Sequence, residues 1–137
     1  MVFSVEFKAK GHENLLGTHR NTLEFTKDIN LTKRGDCIIG VNSDFSLEEL
    51  KKLKGKIKIN ISFSDIHGKL ISDELTAEAN EEFNDPHEMV VRKTVFKDKR
   101  TFAINASKAA KDIKRELIEH LKHPDAVLSV IIVNQPK

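Results

Sequence analysis

The residues best suited to chemistry cluster in the first third of the chain, in a segment we call the polar block (residues 11–41). It carries His12, His19, Arg20, Thr22, Glu24, Arg34, Asp36 and Cys37. An imidazole can act as a general base, and a carboxylate can orient that base or bind a metal. A guanidinium grips a phosphate or carboxylate through two parallel hydrogen bonds. The block therefore supports two kinds of site, one that binds an anion and one that catalyses hydrolysis.

A strand predicted at residues 20–27 would place several of these groups together. Side chains alternate along a strand, so Leu23 and Phe25 point to one face. The opposite face consists of Arg20, Thr22, Glu24 and Thr26. A guanidinium, two hydroxyls and a carboxylate on one face suit a ligand that bears a phosphate. The alternative is a solvated face with charge pairs between strands.

A hydrolytic enzyme is the second hypothesis. His12 or His19 would be the general base, and the orienting group or metal ligand would be Glu24 or Asp36. The two histidines are seven residues apart across a glycine-containing loop, and this spacing matches no specific metal motif. We favour histidines that are hydrogen-bonded to the loop backbone, with a zinc site at His12 and His19 as the alternative.

Cys37 is the one cysteine of the chain. A nucleophilic role is conceivable, because Arg34 would lower the pKa of the thiol and a histidine could take its proton. However, Cys37 begins an apolar run typical of a buried strand, where a free cysteine behaves as a small hydrophobe. We interpret it as structural, and we expect Asp36 to hold the turn beside Gly35.

Basic residues recur later in the sequence. They are Arg92, Lys93, Lys97, Lys99 and Arg100 around a predicted hairpin, then Lys108, Lys111, Lys114 and Arg115 on a predicted helix. The helix lysines are typical of a solvated face. Stacking groups are few, since the chain has no Trp and no Tyr, and only Phe96 and Phe102 lie near the hairpin. The leading hypothesis is a site for RNA or a nucleotide that uses Arg20, Thr22, Arg34, Arg92 and Arg100.

The composition limits the class of protein. The chain has 137 residues, of which 39% are hydrophobic and 32% charged, and its net charge of +2 does not by itself mark a nucleic-acid binder. The glycine patterns of phosphate loops and dinucleotide sites are absent, which disfavours ATP-dependent chemistry by those routes and leaves the cofactor unknown. The segment 1–10 lacks the apolar core of a signal peptide, and the longest apolar run, 126–133, is too short to span a bilayer. We expect one cytoplasmic domain, residues 1–137, that does not enter a membrane.

The elements that must position these residues are mostly strands. Period-two alternation or apolar runs predict strands near 3–9, 20–27, 37–41, 57–63, 69–74, 89–96, 100–104 and 127–133. Ser46 and Glu49 form a capping box for a short helix that ends near Gly55. A long helix is predicted over 106–122. This pattern is typical of a β-sandwich or barrel. The apolar strand 127–133 also supports a third hypothesis, a module that forms homo-oligomers.

Several stretches of the sequence carry a family resemblance. They are Gly11-His12-Glu13-Asn14, the run from Thr18 to Asp28, the run from Leu31 to Val41, Val91-Arg92-Lys93, the run from Arg100 to Ile104, and Lys108-Ala109-Ala110. Together they resemble the small archaeal family known as domain of unknown function 371. The resemblance covers nearly the whole chain but is slight over residues 44–88. It implies an archaeal source and a β-sandwich of jelly-roll type, and it implies no activity, cofactor or partner.

Overall fold

The architecture is a mixed sheet of eight strands, seen in a computed structural model that describes residues 3–135. The strands are β1 (Ser4–Lys10), β2 (Thr22–Thr26), β3 (Ile38–Gly40), β4 (Lys56–Ser64), β5 (Leu70–Ala79), β6 (Glu88–Arg92), β7 (Thr101–Ile104) and β8 (Val127–Asn134). Their order in the sheet is β1-β8-β4-β5-β7-β6-β2-β3. Two short helices, α1 (Leu47–Leu50) and α2 (Arg115–Leu121), and one 3-10 turn (Ala110–Asp112) complete the fold.

Alternation along the strands builds the core. In β4, Ile57, Ile59 and Ile61 are fully buried while the residues between them are partly exposed. β4 pairs antiparallel with both β5 and β8, and β8 pairs antiparallel with β1, so these four strands form the longest continuous ladder. Each of these four strands buries one face because apolar and polar side chains alternate with a period of two.

The sheet curls until its two outer strands come together. The amide of Lys10 donates to the carbonyl of Val41 at 2.7 Å, and the amide of Val41 donates back at 2.9 Å. Val41 directly follows β3, so this bridge joins the β3 end of the sheet to β1. Gly40 permits the close approach, since a Cβ there would lie 2.7 Å from the Cβ of Ala9. The Phe7 ring meets the Phe25 ring edge-on, 5.3 Å between centroids, inside this curl.

The prediction of a jelly-roll sandwich with a long C-terminal helix is wrong. Residues 3–135 form one mixed sheet in place of two antiparallel sheets, and the β2–β3 and β6–β7 pairs are parallel. The predicted hairpin around Asp98 is therefore also wrong. Asp98 accepts hydrogen bonds from the amides of Arg100 and Thr101, which turns the chain into β7 alongside β6.

The segment predicted as a helix over 106–122 is interrupted before α2. Ile113 has an extended backbone, with ψ of 141°, and the amide of Lys114 donates to the carboxylate of Asp73 on β5. The guanidinium of Arg115 then donates to the carbonyls of Ala110, Ile113 and Gly17. These contacts satisfy backbone groups that a continuous helix would have paired internally, so α2 keeps seven residues.

The predicted helix cap at Ser46 is confirmed, because its Oγ accepts from the amide of Glu49 at 3.3 Å. The helix that follows, α1, is a single turn that ends at Leu50, well before Gly55. Neither α1 nor α2 is long and apolar enough to cross a membrane, and no other helix within residues 3–135 is.

Candidate functional site

Part of the polar block, together with Lys111, lines a cavity that we call the Arg20 pocket. It has a volume of about 580 Å³ and is lined by Thr18, His19, Arg20, Asn21, Asp36 and Lys111. The carbonyl of Asp36 accepts from the amides of Thr18 and His19, and the carbonyl of His19 accepts from the amide of Lys111. Backbone hydrogen bonds thus join three separate stretches of chain around the pocket. These bonds fix the positions of the Cα atoms from which the lining side chains extend.

The Arg20 pocket carries uncompensated positive charge. Within residues 3–135, the side chains of Arg20 and Lys111 make no hydrogen bond or ion pair. Asp36 supplies one carboxylate to the same wall. Two cations beside one anion leave the pocket with a net charge of about +1 and with free donors, a combination that attracts an anionic group.

His19 adds a hydrogen-bond donor to this pocket. Its Nδ1 accepts from the amides of Asn21 and Thr22, both at 3.1 Å. The lone pair of Nδ1 is therefore occupied, and the neutral ring carries its proton on Nε2. An Nε2–H group donates to an anion, whereas a general base or a metal ligand must offer a free lone pair. The geometry disfavours both roles for His19.

His12 lies in a different place. It lines a second cavity together with Glu13, Asn30 and Pro124, and its Nδ1 accepts from the amide of Asn14 at 3.0 Å. The structure therefore does not bring His12 and His19 into one site. Across the described part of the chain, no three side chains of His, Cys, Asp or Glu lie close enough together to hold a metal ion.

Glu24 occupies the outer face of β2 but is only 7% exposed. Burial, followed by the nearby Glu88, raises the pKa of Glu24 to about 7. Its Oε1 lies 3.7 Å from the sulfur of Cys37. Burial also raises the pKa of the Cys37 thiol to about 12, and the Glu24 and Asp36 carboxylates add to the rise. A thiol in this state is not a nucleophile at neutral pH, since the thiolate is the reactive form.

Arg92 and Arg100 lie beside Glu24 but each has an acidic partner. Arg100 pairs with Glu88 at 2.7 Å. Arg92 donates to the hydroxyl of Thr101 at 2.9 Å and lies 3.7 Å from Asp98. We call this group on β2, β6 and β7 the Glu24 network. It is largely neutralised from within, in contrast to the Arg20 pocket.

The predicted ligand-binding residues therefore fall into separate groups. Arg20 lines the pocket, and Thr22 is half-buried opposite Arg92 in the β2–β6 pair. Arg34 is exposed in the loop before β3 and is not among the residues that line the Arg20 pocket. The sequence did not indicate Lys111 as a site residue, because it was assigned to the solvated face of the predicted helix. Only the broken helix places it beside His19.

The strand proposed for oligomer formation is internal. β8 lies between β1 and β4 and is hydrogen-bonded on both sides. Its residues Leu128, Val130 and Ile132 are fully buried in the core. Assembly through a free β8 edge is therefore inconsistent with the fold.

Comparison with known proteins places these features in a family. The model of the family described as "Domain of unknown function (DUF371)" matches residues 7–135. The chain belongs to this family. A DUF371 relative is an uncharacterized protein of Methanocaldococcus jannaschii, 41% identical over 133 residues. The alignment covers 92% of this chain and 96% of that archaeal protein. The family carries no described activity, so function must be argued from the geometry of the site.

Proposed function

We propose that this DUF371 domain binds a phosphate-bearing ligand, RNA or a nucleotide, at the Arg20 pocket. One observation carries the proposal: Arg20 and Lys111 line the same polar cavity, and within residues 3–135 neither side chain makes a hydrogen bond or an ion pair. Phosphate oxygens accept hydrogen bonds from guanidinium, ammonium and imidazole N–H groups, and all three are available here.

The pocket is also preorganised. The backbone hydrogen bonds to Asp36 and from Lys111 hold its walls, and the two amides that donate to Nδ1 fix the His19 ring. A ligand that binds there therefore pays little to order the site. The carboxylate of Asp36 would repel a second negative group on its side of the cavity and would accept from a hydroxyl or amino group.

The hydrolytic alternative has weaker support. The lone pairs that His12 and His19 would need as bases are occupied by backbone amides. Glu24 could exchange a proton near neutral pH, given its pKa of about 7. Its side chain is almost fully enclosed, however, and does not line the Arg20 pocket. A substrate in the pocket would not meet it directly.

The first test is the ultraviolet spectrum of the protein purified at low salt. The chain has no Trp and no Tyr, so a strong band at 260 nm reports a bound nucleotide or nucleic acid. We expect that band to disappear after a high-salt wash, because phosphate contacts weaken as counterions compete.

The second test is a direct titration of the stripped protein with uridine monophosphate and with inorganic phosphate, followed by calorimetry. Arg20→Ala and Lys111→Ala should each weaken binding about tenfold, the effect of losing one charged hydrogen bond. Lys56→Ala is the control, since Lys56 is an exposed cation on β4, away from the lining of the pocket. Equal affinities for all four proteins, or no binding by any, would refute the proposal.

A further inference from the structure

The loop between β6 and β7, residues 93–100, presents two apolar side chains to solvent. Val95 is 69% exposed and Phe96 is 57% exposed. Apolar area that stays in water contributes nothing through burial. Phe96 is thus the one aromatic side chain among residues 3–135 with more than half of its surface exposed, which points to a role in contact with a partner.

Arg92 holds the Phe96 ring in place. Its guanidinium carbon lies 5.0 Å from the ring centroid, a cation–π contact. Arg92 is itself anchored, by the hydroxyl of Thr101 at 2.9 Å and by Asp98 at 3.7 Å. The ring is therefore supported from the β6 side, while much of its surface stays open. This is the arrangement of a stacking platform for a planar group.

Free cations flank the platform. Within the described residues, the ammonium groups of Lys97 and Lys99 have no hydrogen bond or ion pair. The loop is also joined to the Arg20 pocket, since the amide of Lys93 donates to the carbonyl of Asn21 at 2.9 Å. Thr22 and Arg92 lie opposite each other in the β2–β6 pair. The start of the loop therefore contacts Asn21, a residue that lines the pocket.

We infer that the ligand is a single-stranded nucleic acid, with one base stacked on Phe96 and a backbone phosphate in the Arg20 pocket. The inference rests on the proposed function and extends it from a phosphate group to a strand. Single-strand binders combine a basic track for the backbone with aromatic rings for the bases. Paired bases in a duplex are not available for such stacking, so duplexes bind more weakly.

An anionic membrane is the competing partner for an apolar tip with lysines. Two apolar side chains next to Asp98 give a small surface for insertion, whereas interfacial segments bury a broad apolar face. Neither the Arg92 support of the ring nor the neighbouring pocket would serve membrane insertion. The charge and the aromatic geometry together favour the nucleic acid.

The experiment measures the anisotropy of a fluorescein-labelled oligouridine with the whole protein. Phe96→Ala should weaken binding about 5- to 150-fold, the range expected for one stacked base. Phe96→Leu should lose as much, because it keeps apolar area but no ring. Phe96→Trp should bind at least as well as the parent protein. It also introduces the only indole of the chain, whose emission should fall when a base stacks on it.

Ile66→Ala is the matched control, because Ile66 is 95% exposed on the turn after β4 and does not line the Arg20 pocket. It should bind oligouridine like the parent protein. If Arg20→Ala weakens oligouridine binding and Phe96→Ala does not, the stacking inference is overturned and the proposed function stands. If uridine monophosphate binds but oligouridine binds no better, the inference also fails. If no phosphate compound binds, both fail.

Vesicles that contain phosphatidylserine complete the test. The inference is overturned, and the loop is assigned to a membrane, if three results are found together. The protein binds these vesicles but not oligouridine, Phe96→Ala abolishes the vesicle binding, and Phe96→Leu preserves it. The Phe96 variants should fold normally, since an exposed side chain contributes little to stability. Circular dichroism of each variant checks this before titration.

Discussion

The Oε1 atom of Glu24 lies 3.7 Å from the sulfur of Cys37, across the parallel pair β2 and β3. The thiol donates to the carboxylate; the Glu24 side chain is buried, and Cys37 is half-buried. Burial raises the pKa of both groups, and the Glu24 carboxylate raises the pKa of Cys37 further, whereas the hydrogen bond from the thiol opposes the rise at Glu24. Below neutral pH both groups therefore stay largely protonated, and this state leads to two predictions.

Glu24→Gln should stabilise the protein at pH 8. Burial, then Glu88, raises the pKa of Glu24 from its ordinary value of 4.5 to about 7 in the fold. The folded state thus holds a proton that the unfolded state has released between these two values, so the free energy of unfolding falls as pH rises through this window. Glutamine has no proton to release in this range, so the free energy of unfolding of the variant does not fall in the same way. The variant should gain up to about 3 kcal/mol over the parent above pH 7.

Urea denaturation of both proteins between pH 4 and pH 8 measures the gap between their free energies of unfolding. This gap should be small at pH 4 and reach a plateau above pH 7. The control is Glu82→Gln, an exposed carboxyl in the loop after β5, for which the gap should stay flat. A gap for Glu24→Gln that does not change with pH would show that this carboxyl has an ordinary pKa in the fold.

Cys37 should resist thiol reagents while the protein is folded. With its pKa raised to about 12 by burial and by the Glu24 and Asp36 carboxylates, the thiolate fraction at pH 8 is roughly a thousandfold below that of an ordinary cysteine. Labelling by Ellman's reagent should therefore be slow in buffer and fast in urea. Rapid labelling of the native protein, at the rate of a free thiol, would contradict the described environment.

Asp73→Asn should destabilise the fold by about 1–3 kcal/mol at pH 7. Burial alone would raise the pKa of Asp73, but hydrogen bonds from Lys108 at 2.5 Å and from two backbone amides outweigh it and lower that pKa. A lowered pKa contributes stability above the unfolded value, and that stability is lost as pH falls through the folded value.

The difference between parent and Asp73→Asn should therefore shrink in acid. Glu74→Gln is the control on the same strand, because its carboxylate meets Lys58 at 3.7 Å on the exposed face. That substitution should change the free energy of unfolding by less than about 0.5 kcal/mol. If the free energy of unfolding falls equally in the two variants, the hydrogen bonds of Asp73 do not stabilise the segment before α2.

Asp73 also explains why the helix prediction failed. Strands such as β4 were predictable because alternating isoleucines are a local signal that burial of one face reinforces. Residues 106–122 carry a helical pattern as well, but the bonds that interrupt it come from distant residues, Asp73 on β5 and Gly17 before β2. Tertiary contacts of this kind override local propensity and leave no sequence signature.

The candidate site, like the fold, was predictable only where its residues lie close together in the sequence. Residues His19 and Arg20 stood out because polar groups of useful chemistry crowd one short segment of the chain. Lys111 did not, since the contact of its amide with His19 spans many residues of sequence. Parallel pairing of β6 with β7 was hidden for another reason. The Asp98 turn has the composition of a hairpin turn, although it leads into a parallel strand.

Gly11→Ala should destabilise the fold by about 3 kcal/mol, near the upper end of the range for overpacking. A Cβ at this position would lie 2.3 Å from the carbonyl oxygens of both Leu121 and His123. Those oxygens belong to backbone at the end of α2, and the Leu121 carbonyl already accepts from the amide of His12 at 2.9 Å. They cannot move aside without breaking the contact between β1 and α2.

Gly68→Ala is the control for the loss of a glycine. No atom lies within 4 Å of a Cβ at Gly68, but its φ of +80° makes alanine cost about 1 kcal/mol through backbone strain alone. Urea denaturation of both variants separates steric exclusion from strain. A loss in Gly11→Ala no larger than in Gly68→Ala would mean that α2 does not press on the chain at Gly11. The closure of the curled sheet would then need a different explanation, because Lys10, the residue that bridges to Val41, directly precedes that glycine.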